Sequence, residues 1–494
     1  MICVSLGRTR HSALEEGHRF LAEQNAELVE LRVDWLRQRP DIGRLLKDRP
    51  TPVVVTCRRK EDKGLWSGEE DQRQAILREA IIGGAEYVDI EIDIARSIPR
   101  YGKTQRIVSY HNFDETPIEL YDIYQKMTQC DPDIIKIVTM AKAPSDNVRV
   151  MEMLRAAHVP TIAFCMGEYG TISRVLCGKL GAPFTYAGFS SEREMAPGQL
   201  TYAEMRNLYR FNRITKDTKV FGVIGDPIAH SLSPLLHNAA FRKTEFDGVY
   251  VPLRIPPDFL EETLDEFEKL DIAGYSVTIP HKEQVLDFAN VPDLQVDLIG
   301  AANTLFKNDG EWQATNTDCH AIAETVDAAL AKNPEGKSGV ATRRVLILGA
   351  GGVARAAVSA MQQSGAVVIV TNRSKDRAKK LAEELNCLTV DWSNRGAEVC
   401  DILINCTSVG MHPNIDESPY LQHWLRESML VFDTVYTPEN TLLLKHARLR
   451  GCMTATGIEM FVRQAAKQFE LFTGQDAPVE HMIKTMRKYL SVAG

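Results

Sequence analysis

The chain has 494 residues, 44% hydrophobic and 25% charged. At ~100–200 residues per domain that length excludes a single compact core, and the composition excludes extended disorder. Lys and Arg number 58 against 66 Asp and Glu, a formal net charge of −8, which argues against a protein built mainly to hold nucleic acid.

The first region alternates short β-branched runs with amphipathic stretches, the signature of βα repetition. The expected strands are ICVSL (2–6), LVELRVDW (28–35), PVVVTC (52–57), EYVDIEI (86–92), QRIVSY (105–110), DIIKIVT (133–139), PTIAFC (160–165) and FTYAG (184–188). Eight such units in so short a span fit a compact (β/α)8 barrel, with an open doubly wound sheet as the competing arrangement. Glu30 and Arg32 share one strand face by period two, and Arg58 closes VVVTCR. His111 ends a strand, which in a barrel is the active face. Lys136 sits inside a β-branched run, where an ammonium must be neutralised, paired or snorkelled outward. Charges of both signs converging on a barrel mouth suit a polar, anionic ligand.

These pieces, ELRVD (30–34), TCR (56–58), SYHNF (109–113), IIKIV (134–138), GTISR (170–174) and APGQ (196–199), resemble type I 3-dehydroquinate dehydratases over residues 1–213. The resemblance implies a barrel in which Lys136 forms a Schiff base, His111 is the general acid/base, and Glu30, Arg32, Arg58, Arg174 and Gln199 grip the substrate. A lysine beside Arg58 and Arg174 in an apolar wall is then expected to keep some free amine for attack. Two positions depart from the family pattern. Asp62 stands where a Glu is usual, expected to support His111 less well, and Met195 replaces a Ser, so that a carboxylate contact is lost or moves to Ser190 or Ser191.

The polar segment FNRITKDTK (211–219) marks a boundary, with a second unit over 219–494. Within it, AKNPEGKSGVATRR separates an α/β lobe at 219–332, completed by C-terminal helices, from a nucleotide-binding lobe at 340–455. In GDPIAHSLSP (225–234), Ser231 and Ser233 read either as cap and turn residues or as ligand contacts. Thr278 and Lys282 follow a strand in GYSVTIPHKE, while GAANTL and TNTD put Asn303 and Asp318 in turns.

RRVLILGAGGVARAAV (343–358) is a strand, a glycine turn and a helix start. The spacing Gly349-x-Gly351-x-x-Ala354, with Gly352 opening the helix, lets backbone N–H groups approach a pyrophosphate. The next strand ends in Asn372, Arg373 and Ser374, with Arg377 one turn on. There is no acid to accept from a ribose 2′-OH, and two guanidiniums suit a 2′-phosphate, so NADP(H) is the expected cofactor.

Together with NCTSVGM (405–411), DTVYTP (433–438) and TGIEMFVRQAAKQF (456–469), these motifs resemble shikimate dehydrogenases over about 220–490. That resemblance implies that Lys282 and Asp318 handle the proton, and that Ser231, Ser233, Thr278, Asn303 and Gln464 hold the substrate. Quinate-specific relatives alter the serine and threonine positions, so shikimate is favoured. The whole arrangement is similar to the plant-like fused dehydratase/dehydrogenases, implying dehydration of 3-dehydroquinate and then NADPH-dependent reduction of 3-dehydroshikimate. A non-catalytic sensor keeping both folds, and a Schiff-base aldolase fused to an unrelated reductase, are the alternatives.

No run approaches ~18 apolar residues, and MICVSLG enters a strand without a signal or transit pattern. A cytoplasmic enzyme is expected, or a plastid one if a transit peptide has been removed. Ten cysteines without CxxC or metal-ligand spacing fit reduced thiols and no metal. Small-molecule substrates are the expected partners, with neither nucleic acid nor membrane.

Overall fold

The computed structural model describes residues 1–190, 198–292, 294–332 and 339–493. Contacts divide the chain into two compact units, residues 1–220 with 247–272, and 221–246 with 273–494.

The first unit is an eight-stranded parallel barrel. Its strands are β1 (Ile2–Gly7), β2 (Leu28–Arg32), β3 (Val53–Thr56), β4 (Tyr87–Glu91), β5 (Gln105–Asn112), β6 (Ile134–Met140), β7 (Thr161–Met166) and β8 (Thr185–Gly188). They pair in the order β7-β6-β5-β4-β3-β2-β1-β8. β1 is parallel to both β2 and β8, so the sheet curls round on itself. Between β7 and β8 side chains meet instead, with the rings of Phe164 and Tyr186 6.5 Å apart. Strands covered on both faces read as near-continuous apolar runs, and β1, β3 and β7 are buried at every residue. Helix Glu70–Ile82 begins with Glu70 and Asp71, carboxylates that complement its N-terminal dipole.

The second unit holds two α/β lobes. Lys219–Gly225, Ile272–Val277, Thr304–Asn308, Glu311–Thr315 and Val291–Pro292 are successive neighbours in a mixed sheet. Thr304–Asn308 is antiparallel to Ile272–Val277 and forms a hairpin with Glu311–Thr315. The other sheet is wholly parallel, in the order Leu388–Thr389, Val367–Thr371, Arg344–Leu348, Ile402–Asn405, Leu430–Asp433, Met453–Ala455. Its order reverses at Arg344–Leu348, the switch point where dinucleotides bind in this fold. Helix Gly457–Thr473 opens with a capping box from Thr456 and Glu459 and stops at Gly474, whose φ of 68° suits glycine.

In the barrel, Arg73 of helix Glu70–Ile82 is fully buried. Its guanidinium donates to the Cys57 carbonyl at 2.8 Å, to Glu91 at 2.9 Å and to Glu70 at 2.8 Å. Replacing Arg73→Met removes one of the two guanidiniums that hold the buried Glu91 carboxylate and leaves it Arg58 alone. A loss of about 3–5 kcal/mol of barrel stability is expected, and denaturant unfolding would read it. A loss under about 1 kcal/mol would show that Glu91 is satisfied without it.

Candidate active sites

Every expected barrel site residue lines a single cavity at the C-terminal ends of the strands: Glu30, Arg32, Arg58, His111, Lys136, Arg174 and Gln199. The period-two rule puts them there. Ser109 and His111 share one face of β5, level with Lys136 and Val138 on β6.

Lys136 does not snorkel. It is 5% exposed, its ammonium 3.0 Å from Asp89 Oδ2 and 3.8 Å from Glu30 Oε1, and it lies 3.9 Å above the Tyr186 ring centroid. Its immediate neighbours are therefore two carboxylates and a ring rather than the two arginines expected beside it. Arg58 is held by Asp89 at 2.7 Å and Glu91 at 2.7 Å, and so touches the cavity while bound to the wall behind it. Ser109 donates to Asp89 at 2.6 Å. Burial would raise the Asp89 carboxyl, but the charges of Arg58 and Lys136 and the Ser109 hydrogen bond outweigh it and hold Asp89 ionised. Glu30 is fixed by the hydroxyls of Ser5 at 2.6 Å and Thr56 at 2.8 Å. Arg32 is clamped by Asp34 through two bonds, and Arg174 lies 4.2 Å over the Phe164 ring.

His111 stacks on Phe113, and its Nδ1 has no hydrogen-bond partner. Burial, then the positive Arg58 and Lys136, push its pKa well below the usual 6.5, so the ring is neutral and able to accept a proton. Asp62 lies at the cavity but is bonded to Arg59 at 2.5 Å. Met195 and Ser191 fall outside the described residues. Sequence reasoning missed Asp89 and Glu91; their signal was the alternation in EYVDIEI, which sets two acids on one face of a buried strand.

The expected substrate and proton residues of the second unit also share a cavity: Ser231, Ser233, Thr278, Lys282, Asn303, Asp318 and Gln464. Lys282 Nζ is 2.5 Å from Asp318 Oδ2. Asp318 is in the first turn of helix Thr317–Leu330, where the dipole favours its negative charge and Asn316 caps the start. Ser231 keeps a local bond too, accepting from the Ser233 N–H at 3.3 Å. Asn303 accepts from the Thr317 N–H at 2.8 Å. Gln468, which sequence reasoning overlooked, donates to the Asn303 carbonyl at 3.0 Å and accepts from Ser276 at 2.7 Å. It lies one turn after Gln464, and that i, i+4 spacing was the available signal. Tyr436 and His230 also line the cavity and went unremarked.

The glycine turn meets this cavity. Gly349 has φ 120°, and a Cβ there would stand 2.8 Å from the Cys406 carbonyl, so only glycine fits. Gly351 faces open space as the N-cap of helix Gly352–Gln363, and Ala354 is buried beneath. A Cβ on Gly352 would lie 3.4 Å from Lys282 Cδ, which places the helix start beside the Lys282–Asp318 pair. Beyond the next strand a concavity is lined by Asn372, Arg373, Lys375 and Lys379. Arg377, expected there, is exposed but is not among its lining residues, and Asn372 bonds the Ser374 carbonyl at 3.2 Å. Exposed cations beside an open helix N-terminus fit a phosphorylated dinucleotide.

Family models match four successive stretches of the chain, and the second of them takes in 247–272, which the contacts group with the barrel. Type I 3-dehydroquinase matches residues 2–216, the shikimate dehydrogenase substrate binding domain 223–305, shikimate/quinate 5-dehydrogenase 330–437, and the shikimate 5'-dehydrogenase C-terminal domain 457–487. A chloroplastic bifunctional 3-dehydroquinate dehydratase/shikimate dehydrogenase from Arabidopsis thaliana is 40% identical over 94% of this chain and 81% of its own length. The NADP(+) shikimate dehydrogenase of Caldanaerobacter subterraneus is 38% identical over 53% of this chain and 94% of its own. A crystal structure of a shikimate dehydrogenase in complex with NADP+ superposes with a TM-score of 0.51 at 34% identity, covering 56% of this chain and 96% of that one. An acid/base barrel site and a reductase site on one chain, matched along nearly its whole length by a two-activity relative, place the chain in the family of bifunctional 3-dehydroquinate dehydratase/shikimate dehydrogenases.

Proposed function

We propose that the barrel dehydrates 3-dehydroquinate through a Schiff base on Lys136, and that the second unit reduces the resulting 3-dehydroshikimate to shikimate with NADPH. The observation that carries the reading is a buried lysine and a neutral buried histidine lining one cavity, with a lysine–carboxylate pair lining another.

In the barrel, Asp89 first holds the Lys136 ammonium in place. Loss of its proton frees the amine, which adds to the ketone and expels water as the iminium forms. The iminium draws electrons from the neighbouring carbon, and neutral His111 takes the proton there. The C–C double bond forms as the β-hydroxyl departs, and the imidazolium returns its proton to make that group water. Hydrolysis of the iminium then releases the product and restores Lys136.

In the second unit, Gly349, Gly351 and the start of helix Gly352–Gln363 would hold the pyrophosphate, while Arg373 with Lys375 or Lys379 would hold a 2′-phosphate. When bound, the reduced nicotinamide supplies a hydride to the carbonyl carbon. Lys282 gives its proton to the oxygen as alkoxide character develops, and Asp318 orients the ammonium. Ser231, Ser233, Thr278, Asn303 and Gln464 line the space for the substrate hydroxyls and carboxylate.

Borohydride added with 3-dehydroquinate should leave a covalent mass on Lys136 in the wild-type chain and none on Lys136→Ala, with dehydration lost in the variant. Retained activity or absent trapping refutes the Schiff base. Falling pH protonates the base, and His111 resists protonation, so the acid limb of kcat/KM for dehydration should lie below pH 6.5. A limb at or above that value would show that another group titrates. Arg373→Ala should raise KM for NADPH about 10–100-fold and leave NADH use unchanged, since a charge-assisted bond contributes about 1.5–3 kcal/mol. Equal effects on both cofactors would remove the 2′-phosphate assignment.

A further inference from the structure

We propose that Lys63 is a substrate-binding residue of the barrel site, an exposed cation on a hydrogen-bonded loop that draws in and holds the carboxylate of the incoming anion. This rests on the dehydratase reading above.

Five cations line the barrel cavity: Arg32, Arg58, Lys63, Lys136 and Arg174. Most are already committed. Arg32 is bound by Asp34, Arg58 by Asp89 and Glu91, and Lys136 by Asp89 and Glu30. Arg174 is buried against Phe164 and donates to the Tyr186 carbonyl at 3.4 Å. Lys63 is exposed at the mouth and forms no ion pair with the described residues. Its neighbour Asp62 is paired with Arg59, which also holds Asp93 at 2.6 Å. The carboxylate of an approaching substrate thus meets, at the rim, a cation with no ion pair among the described residues before it reaches the paired charges within.

The loop is built to present this side chain. Lys63 has φ 57°, a left-handed conformation uncommon for residues other than glycine and asparagine. The loop is held there from several sides. The Leu65 N–H donates to Asp34 at 3.0 Å, the Trp66 N–H donates to the Arg58 carbonyl at 3.2 Å, and Gly64 packs so closely that a Cβ would stand 2.1 Å from the Arg58 carbonyl oxygen. Asp34 therefore anchors both Arg32 and the Lys63 loop, and Arg58 is covalently part of the same turn. The backbone beneath the lysine is held by Asp34 and Arg58, residues that also hold the site, which leaves the side chain as the main part to be ordered when the anion binds.

Because the charge is at the rim and not at the reacting atoms, its effect falls on capture and not on chemistry. Lys63→Gln should raise KM for 3-dehydroquinate about three- to tenfold, with kcat held within about twofold, and Lys63→Glu should raise it further. Lys63→Arg should restore the wild-type value. Lys63→Gly suits the left-handed backbone and removes the side chain alone, so it should reproduce Lys63→Gln if the charge matters and not the turn. Raising ionic strength from ~20 to ~200 mM should lower kcat/KM in the wild type and do so less in Lys63→Gln. NADPH-dependent reduction of 3-dehydroshikimate, unchanged in every variant, reports that the chain is folded. A wild-type chain that turns over 3-dehydroquinate while Lys63→Gln and Lys63→Glu keep its KM and salt response would overturn the assignment of Lys63 alone. A wild-type chain with no dehydration would overturn the barrel reading and the lysine's role with it.

Discussion

The barrel site depends on one buried constraint: Asp89 must stay ionised inside a protein. Desolvation opposes this, and the structure answers by surrounding the carboxylate with Arg58, Lys136 and Ser109 at 2.6–3.0 Å. Arg58 in turn needs a second carboxylate, Glu91, and Glu91 needs Arg73. The chain of partners runs from the cavity through β4 to the helix Glu70–Ile82, so the outer layer of the barrel is tied electrostatically to Lys136. Removing any one charged member weakens the compensation of its neighbours in a medium that solvates them poorly.

The same network sets the chemistry. Positive charge from Arg58 and Lys136 adds to burial in keeping His111 neutral, which is the protonation state a general base requires. Asp89 is then a positioning residue: it fixes the Lys136 ammonium at the cavity, and its negative charge opposes, without reversing, the shift that keeps the imidazole uncharged. The second unit solves a simpler problem. Its lysine needs one carboxylate, and Asp318 is supplied by the first turn of a helix, where the dipole already favours the anion. The barrel lysine sits in an extended network of charges, and Lys282 of the second unit in a single pair.

The legibility of these sites in the sequence followed period and punctuation. Lys136, His111, Arg58 and Glu30 stand at strand ends or on inward faces, and a residue's face follows from its parity once the strand is located. Lys282, Asp318, Asn303 and the serines fall in turns beside strands, and the glycine fingerprint announced the nucleotide turn because Gly349 must adopt φ 120°. What escaped was the identity of partners. Arg58 was expected to grip the substrate, and the sequence did not show that it also binds Asp89 and Glu91. Asp62 was expected near His111, and its bond goes to Arg59. Arg377 was expected with Arg373, yet Lys375 and Lys379 are the residues that line that concavity with it.

The sequence by itself therefore pointed to the eight strands of the first unit and to the side chains that line each cavity, because strand periodicity and glycine or asparagine turns are local properties of the backbone. Only the tertiary structure decided how the charges are distributed among those side chains. A guanidinium has five donors and no local rule for choosing among acids tens of residues away. Arg58 lies 31 residues from Asp89, and Lys136 lies 47 from the same carboxylate. Those bonds exist because barrel closure brings β3, β4 and β6 around one axis, and low dielectric then makes the paired arrangement the only one the interior tolerates.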